Sequence, residues 1–196
     1  MLVLKTFTLT LISFLFIACD GVSSDAPTTV KSVNMKSFIK AEKTTPNEIL
    51  NAINNARDVA RDCHDGRGIL PAAPALRWNS DLYASAYEHS VDLATSDTFS
   101  HYGSGTSSDI TGSNNGRKSY FIDRIESNGY INYTTIGENV AGGQESIDEA
   151  VRGWIASPKH CTNLMNAKFT EMGVAVATNS NSEYGIYWTQ SFGSKK

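Results

Sequence analysis

Two imidazoles and a carboxylate are the side chains of this chain best suited to chemistry. His101 stands just past a helix-like stretch, Glu138 precedes the glycine pair Gly142-Gly143, and His160 follows the break Ser157-Pro158. Helix ends, tight turns and helix starts commonly converge on a surface cleft. Two histidines and a glutamate there could hold one divalent metal, zinc or another, with an open coordination position for Lewis-acid or bound-water chemistry. The same groups could move protons without metal, and spacing alone does not separate either use from that of solvated loop residues. A Ser-His-Glu acyl-transfer site would need a serine on an exposed elbow beside an oxyanion hole. Ser100 and Ser157, the serines nearest the candidate histidines, read instead as a loop residue and a helix cap. Gln190 shares a strand face with Ile186, Trp188 and Phe192, so it must find hydrogen-bond partners and is expected at the cleft or behind it. His89 shares a helix face with Leu82, Ala86 and Leu93, which predicts a buried, hydrogen-bonded core histidine.

The elements that position these groups can be read in turn. Residues 136–161 are the densest stretch. Ser146 with Glu149 forms a capping-box pattern, and Ile147, Val151, Trp154 and Ile155 recur at helical spacing, so a helix runs from there to about Ala156. Pro158 cannot continue it, and Ser157-Pro158 reads as the start of a short second helix carrying His160 and Cys161. Earlier, Thr45-Pro46-Asn47-Glu48 is another capping box, opening a helix to about Arg61 with Ile49, Ile53, Ala56 and Ala60 on one face. Asn79-Ser80-Asp81 starts the long helix of His89. Residues 99–117, rich in Ser, Thr, Gly and Asn, read as a long loop, and residues 120–128 as a helix stopped by Gly129. Residues 172–178 are apolar on both alternations and residues 184–192 alternate again, with turn residues between, which predicts a hairpin covered on both faces. Helices followed by such a hairpin give an α+β fold with a sheet between helix layers.

The 196 residues carry 17 Lys and Arg against 20 Asp and Glu. The basic residues are scattered singly, so no surface can neutralise phosphates in a row, and nucleic acid is not an expected partner. Residues 1–18 combine Lys5 with an apolar run and a small residue before Cys19, a signal-peptide pattern too short for a comfortable spanning helix. Phe16-Ile17-Ala18-Cys19 also resembles the lipobox of bacterial lipoproteins, with Phe16 where Leu is usual. Acylation of Cys19 would make the membrane a partner and leave the domain extracytoplasmic, on the periplasmic or cell-surface face. Residues 19–44 then read as a lipidated cysteine and a flexible tether, and residues 45–196 as the folded domain. In an oxidising compartment Cys63 and Cys161 most simply pair, and closing so long a loop restricts the unfolded chain by roughly 4 to 5 kcal/mol in the entropy model. The mirror-image dipeptides Cys63-His64 and His160-Cys161 leave a tetrahedral Cys2His2 metal site as the alternative.

Taken together, several segments resemble the CAP superfamily, also called the SCP or pathogenesis-related 1 family. They are Leu76-Arg77-Trp78-Asn79, Phe99-Ser100-His101, residues 125–130 (IESNGY), Gly137-Glu138-Asn139-Val140-Ala141, residues 154–160 (WIASPKH), Asn163-Leu164-Met165, residues 169–174 (FTEMGV) and residues 187–193 (YWTQSFG). They occur in family order from about Thr45 onward and look most like the bacterial branch. The resemblance implies a three-layer α-β-α sandwich with an antiparallel central sheet. It also implies a cleft lined by two histidines and two acids, onto which His101, His160 and Glu138 map. The second acid is replaced by Ser157, which lowers the charge facing a cation and implies weak metal binding at most. In the bacterial branch a cysteine near the first helix pairs with one after the Ser-Pro-x-His segment, which supports Cys63 with Cys161. The family's reported roles are diverse, so fold does not give function. The expectation is a membrane-anchored binding module for a lipid, an envelope polymer or a protein. A peptidase-like hydrolase using the same cleft, and a structural envelope protein with a vestigial cleft, are the alternatives.

Overall fold

The computed structural model describes residues 40–196, so the leader, Cys19 and most of the tether lie outside the described residues. The described chain is already helical at residues 40–42, and Ala41 is fully buried in the main core. Residues 40–44 therefore belong to the domain and not to the tether. Their boundary was invisible in sequence because a lone alanine carries no periodic signal.

Helix α1, Pro46–Arg57, starts on the expected capping box: Thr45 Oγ1 accepts from Glu48 N–H at 3.3 Å, and the Glu48 carboxylate accepts from Thr45 N–H at 2.7 Å. It stops four residues short of Arg61, since Arg57 turns inward and donates to the carbonyls of Pro74 and Leu164, leaving Ala60 exposed. Strands β1, Arg61–Asp62, and β2, Ile69–Leu70, form a small antiparallel hairpin around the expected polar loop. Strand β3, Arg77–Trp78, leads into helix α2, Ser80–Ser96, whose N-cap Asn79 accepts from Asp81 and Leu82.

The long loop is more ordered than its composition suggests. It contains helix α3, Ile110–Asn115, and wraps around carboxylates. Asp109 accepts from Gly105, Gly112 and Ser119 N–H and from the Ser119 hydroxyl, while Asp92 accepts from Ser104 and Ser108. Small residues let the backbone approach: a Cβ at Gly103 or Gly112 would strike the Asp109 carboxylate. Here Ser and Gly serve close packing rather than flexibility.

Helix α4, Phe121–Ser127, ends with Gly129 at φ 95°, and strand β4, Tyr133–Gly142, follows. Helices α5, Ile147–Ala156, and α6, Pro158–Leu164, join at Ser157, and β5, Glu171–Thr178, pairs with β6, Ile186–Lys195, as the expected hairpin. Ser146 caps α5 as read, but the Glu149 carboxylate accepts from Glu145 N–H at 3.0 Å rather than from the cap residue. The Ser157 side chain makes no capping bond; its carbonyl accepts from Cys161 N–H.

The main sheet runs β3-β5-β6-β4. Three strands are antiparallel, and the two-residue edge strand β3 is parallel to β5, so the sheet is mixed where an antiparallel one was expected. The chain reaches β3 from α1 on one face and leaves it into α2 on the other. Ile49, Ile53, Trp154 and Leu164 pack with Trp188 and Phe192 on one face of the sheet. Helix α2 covers the other face, so the three-layer α+β sandwich is observed. A Cβ at Gly173 would collide with the backbone of Tyr83, which sets how closely α2 approaches. Cys63 and Cys161 form the disulfide with Cα atoms 5.5 Å apart, which rules out the Cys2His2 alternative, and the His64 side chain is exposed.

Candidate functional site

The site lies along β4, the edge strand that sequence reading missed although it carries Glu138. Its signal was the β-branched run Thr134-Thr135-Ile136 before the glycine pair. The edge is closed by side chains rather than by another strand. Asn163 Nδ2–H donates to the Glu138 carbonyl at 3.1 Å, and Trp154 Nε1–H donates to the Val140 carbonyl at 3.1 Å.

Register puts Glu138 opposite Ser191 on the α2 face of the sheet, where it is 3% exposed. Its Oε1 accepts from His101 Nδ1–H at 2.9 Å, and its Oε2 accepts from Arg124 Nη2–H at 2.8 Å. Burial alone would raise the carboxyl pKa. The Arg124 guanidinium and the hydrogen bonds from His101 and Arg124 outweigh it and hold the group down at about 2. Glu138 is thus a permanent anion at neutral pH. An ionised carboxylate only accepts, so His101 carries a proton on Nδ1, and Nε2 is the ring nitrogen left for other partners.

Arg124, also missed in sequence reading, is 1% exposed and ties the site together. It donates to the Ser119 hydroxyl at 2.9 Å and to the His101 carbonyl at 3.1 Å as well as to Glu138. An arginine one residue before the fully buried Ile125 was its only signal. His89 is fully buried as read, yet its Nε2 lies 3.9 Å from Glu138 Oε1, so it borders the site.

His160 arrives from α6, in the opposite helix layer. Its ring lies 6.1 Å from that of His101, centroid to centroid, with the planes 59° apart. Burial, and then the neighbouring His101, lower its pKa, which favours the neutral ring. Asn139 donates to its carbonyl at 3.2 Å, and the disulfide at Cys161 and the Thr162–Asp65 hydrogen bond pin its helix to the β1-β2 hairpin.

Gln190 does not line the cleft. It is fully buried on the other face, where its Oε1 accepts from Asn139 Nδ2–H at 3.2 Å and its Nε2 lies 3.6 Å from the Met172 sulfur. It reaches the site through Asn139, which also donates to the His160 carbonyl. Ser157 is half-buried at the α5-α6 junction. A groove of about 470 Å³ at the other sheet edge, lined by Trp78, Tyr83, Tyr87 and residues 174–177, includes neither histidine.

The three-ligand metal centre does not fit this arrangement. Both Glu138 oxygens are engaged by cationic or N–H donors, so the carboxylate orients His101 instead of offering itself as a ligand. Among the described residues, no three His, Cys, Asp or Glu side chains are grouped as such a centre requires. What the cleft presents is a pair of adjacent imidazoles.

Residues 50–192 match the model of the CAP family, described as the cysteine-rich secretory protein family. The uncharacterised protein YkwD of Bacillus subtilis is 28% identical over 179 residues, covering 89% of this chain and 57% of that protein. The uncharacterised membrane protein YlbC of the same organism is 26% identical over 166 residues, covering 83% of this chain and 38% of that one. The chain thus spans 57% and 38% of the lengths of these two relatives. Among solved structures, an extracellular SCP-domain protein of Bacillus anthracis superposes with a TM-score of 0.53 at 24% identity, over 78% of this chain and 44% of that one. An outer surface protein of Borrelia burgdorferi superposes with a TM-score of 0.50 at 20% identity, over 63% of this chain and 80% of that one. At these identities the likeness shows the fold.

Proposed function

Because the chain belongs to the CAP family of cysteine-rich secretory proteins, we propose that it is an exported, lipid-anchored binding module working through the His101–His160 cleft. The carrying observation is the sealing of Glu138. A carboxylate whose pKa is held down at about 2 beside a buried guanidinium neither takes nor gives a proton near neutrality, and it cannot ligate a metal while it faces Arg124. The cleft is left with two imidazoles, whose ring nitrogens suit polar partners or a weakly held cation. A lipid, an envelope polymer or a protein is the ligand class this reading gives. Export and anchoring at Cys19 are supported by the leader pattern, by the disulfide, and by likeness to extracellular, outer-surface and membrane proteins. Among the described residues no helix is long and apolar enough to cross a membrane.

The His101–Glu138 hydrogen bond favours a second reading, in which an oriented imidazole activates water as a general base in a hydrolase. One experiment separates them. The purified chain and its His101→Ala variant are titrated with Zn²⁺ while the histidine ring resonances are followed, and both are assayed on peptide and ester substrates. Weak perturbation of His101 and His160, lost in the variant, with no turnover above it, supports binding. Turnover that disappears in the variant overturns binding in favour of hydrolysis.

A further inference from the structure

His89 is the one buried histidine that the cleft reading leaves without a task. It lies on the sheet-facing side of α2 with no solvent exposure, and Nε2 is 2.8 Å from the carbonyl oxygen of Ser100. A carbonyl only accepts, so Nε2 carries the proton and donates. That carbonyl belongs to the peptide unit that enters His101. The same nitrogen sits 3.9 Å from Glu138 Oε1, the oxygen that accepts from His101 Nδ1–H. Nδ1 of His89 is then a bare lone pair, and among the described residues it has no hydrogen-bond partner.

An orphaned acceptor in a dry interior is a standing cost, and a leucine or phenylalanine would fill the same space without it. The position breaks the rule of a satisfied apolar core, and such breaks are expected where function requires them. The gain is at Nε2. From there the ring fixes the backbone on one side of His101, as Arg124 fixes it on the other through the His101 carbonyl. The opposite tautomer would set a lone pair against both the Ser100 carbonyl and the Glu138 carboxylate, so the surroundings permit only one. Burial lowers the His89 pKa and keeps the ring neutral, which removes competition with His101 for the carboxylate.

We infer that His89 is a positioning residue for His101, holding the Ser100–His101 peptide so that the His101 Nδ1–H meets Glu138 and its Nε2 faces the cleft. The inference rests on the reading that His101 works in that cleft. Its test replaces the histidine in full-length protein with Gln, which can present an N–H near the Nε2 position, and with Phe or Met, which keep bulk without a donor. The first readout is the His101 tautomer in metal-free protein, from long-range proton–nitrogen correlations of the imidazole. The second is Zn²⁺ affinity. His89→Gln should keep the Nδ1–H signature, whereas His89→Phe and His89→Met should show mixed tautomers and affinity lower by about tenfold. If either apolar variant retains the wild-type signature, or a folded His89→Gln loses it, the proposal is overturned. If both apolar variants fail to fold while Gln folds normally, His89 is structural and the proposal is likewise overturned. Because the tautomer is read without metal, a wild-type protein that shows the Nδ1–H form but binds no Zn²⁺ counts against cation binding in the cleft and leaves the role of His89 standing.

Discussion

Glu138 is governed less by its own chemistry than by what surrounds it. Arg124 and Glu138 are each 1% exposed at the side chain, so removing the cation strands a buried anion. Arg124→Met should destabilise the domain by about 3–5 kcal/mol in urea unfolding, whereas breaking the exposed Arg117–Asp123 pair should change stability far less. A carboxyl held at about 2 in the fold and near its ordinary value when unfolded stabilises fully above the unfolded value. That contribution, on the order of 3 kcal/mol, is lost as pH falls from about 4.5 towards 2. His89 acts in the same direction at higher pH, since its folded pKa is lowered and the unfolded chain takes the proton first as pH falls below about 6.5. Stability should therefore decline with acid in two stages. Thermal unfolding across pH 8 to 2 should show both for the wild type, and a smaller lower stage for Glu138→Gln measured against its own neutral-pH value, because the Asp65, Asp109 and Asp123 carboxyls are also held below their ordinary range.

Helix α6 is only seven residues long and depends on its neighbours for its place. The Cys63–Cys161 disulfide, the Asp65–Thr162 contact and Asn139 hold it against the hairpin and the sheet edge. Cys63→Ser with Cys161→Ser should cost about 2–5 kcal/mol, read as a lower melting temperature that added reductant does not lower further. The His160 ring resonance should broaden in that variant while His101, anchored from the other layer, keeps its Nδ1–H signal. The α2–sheet contact is equally specific. Gly173 lies under the Tyr83 backbone, which cannot yield as a flexible side chain would, so Gly173→Ala should destabilise by about 1–3 kcal/mol or more. Circular dichroism melts would check it against Gly66→Ala, whose cost is confined to its φ of 87° because nothing crowds the added methyl group.

Across the whole molecule, the cleft histidines come from opposite helix layers and meet at the edge of β4, so the sandwich itself assembles the site. The domain includes residues 40–44, with Ala41 buried in its main core. If Cys19 is acylated, detergent phase partitioning should place the wild-type protein in the detergent phase and Cys19→Ser in the aqueous phase. Finding the wild type in the aqueous phase would remove the membrane from its partners and leave the cleft proposal intact.

Local patterns were sufficient for much of this. The capping residues Thr45, Asn79 and Ser146, the break at Pro158 and the β5-β6 hairpin are set by interactions within a few residues or by the period of burial, and both are written along the chain. The family motifs singled out His101, Glu138 and His160 for the same reason: each sits in a short recognisable segment. What tertiary structure decided was which partners they meet. Arg124 is 14 residues from Glu138 in sequence and His89 is 49 away, and the three lie on different elements, so no helical or strand period connects them. Gln190, legible as a buried polar group, turned out to serve Asn139 because register alone fixes which strand neighbour it faces. Residue types could name a carboxylate beside two imidazoles. Only the packing of α2 and α4 against β4 made that carboxylate a sealed anion that orients one ring, because its charge state follows from burial and a guanidinium that the fold brings to it.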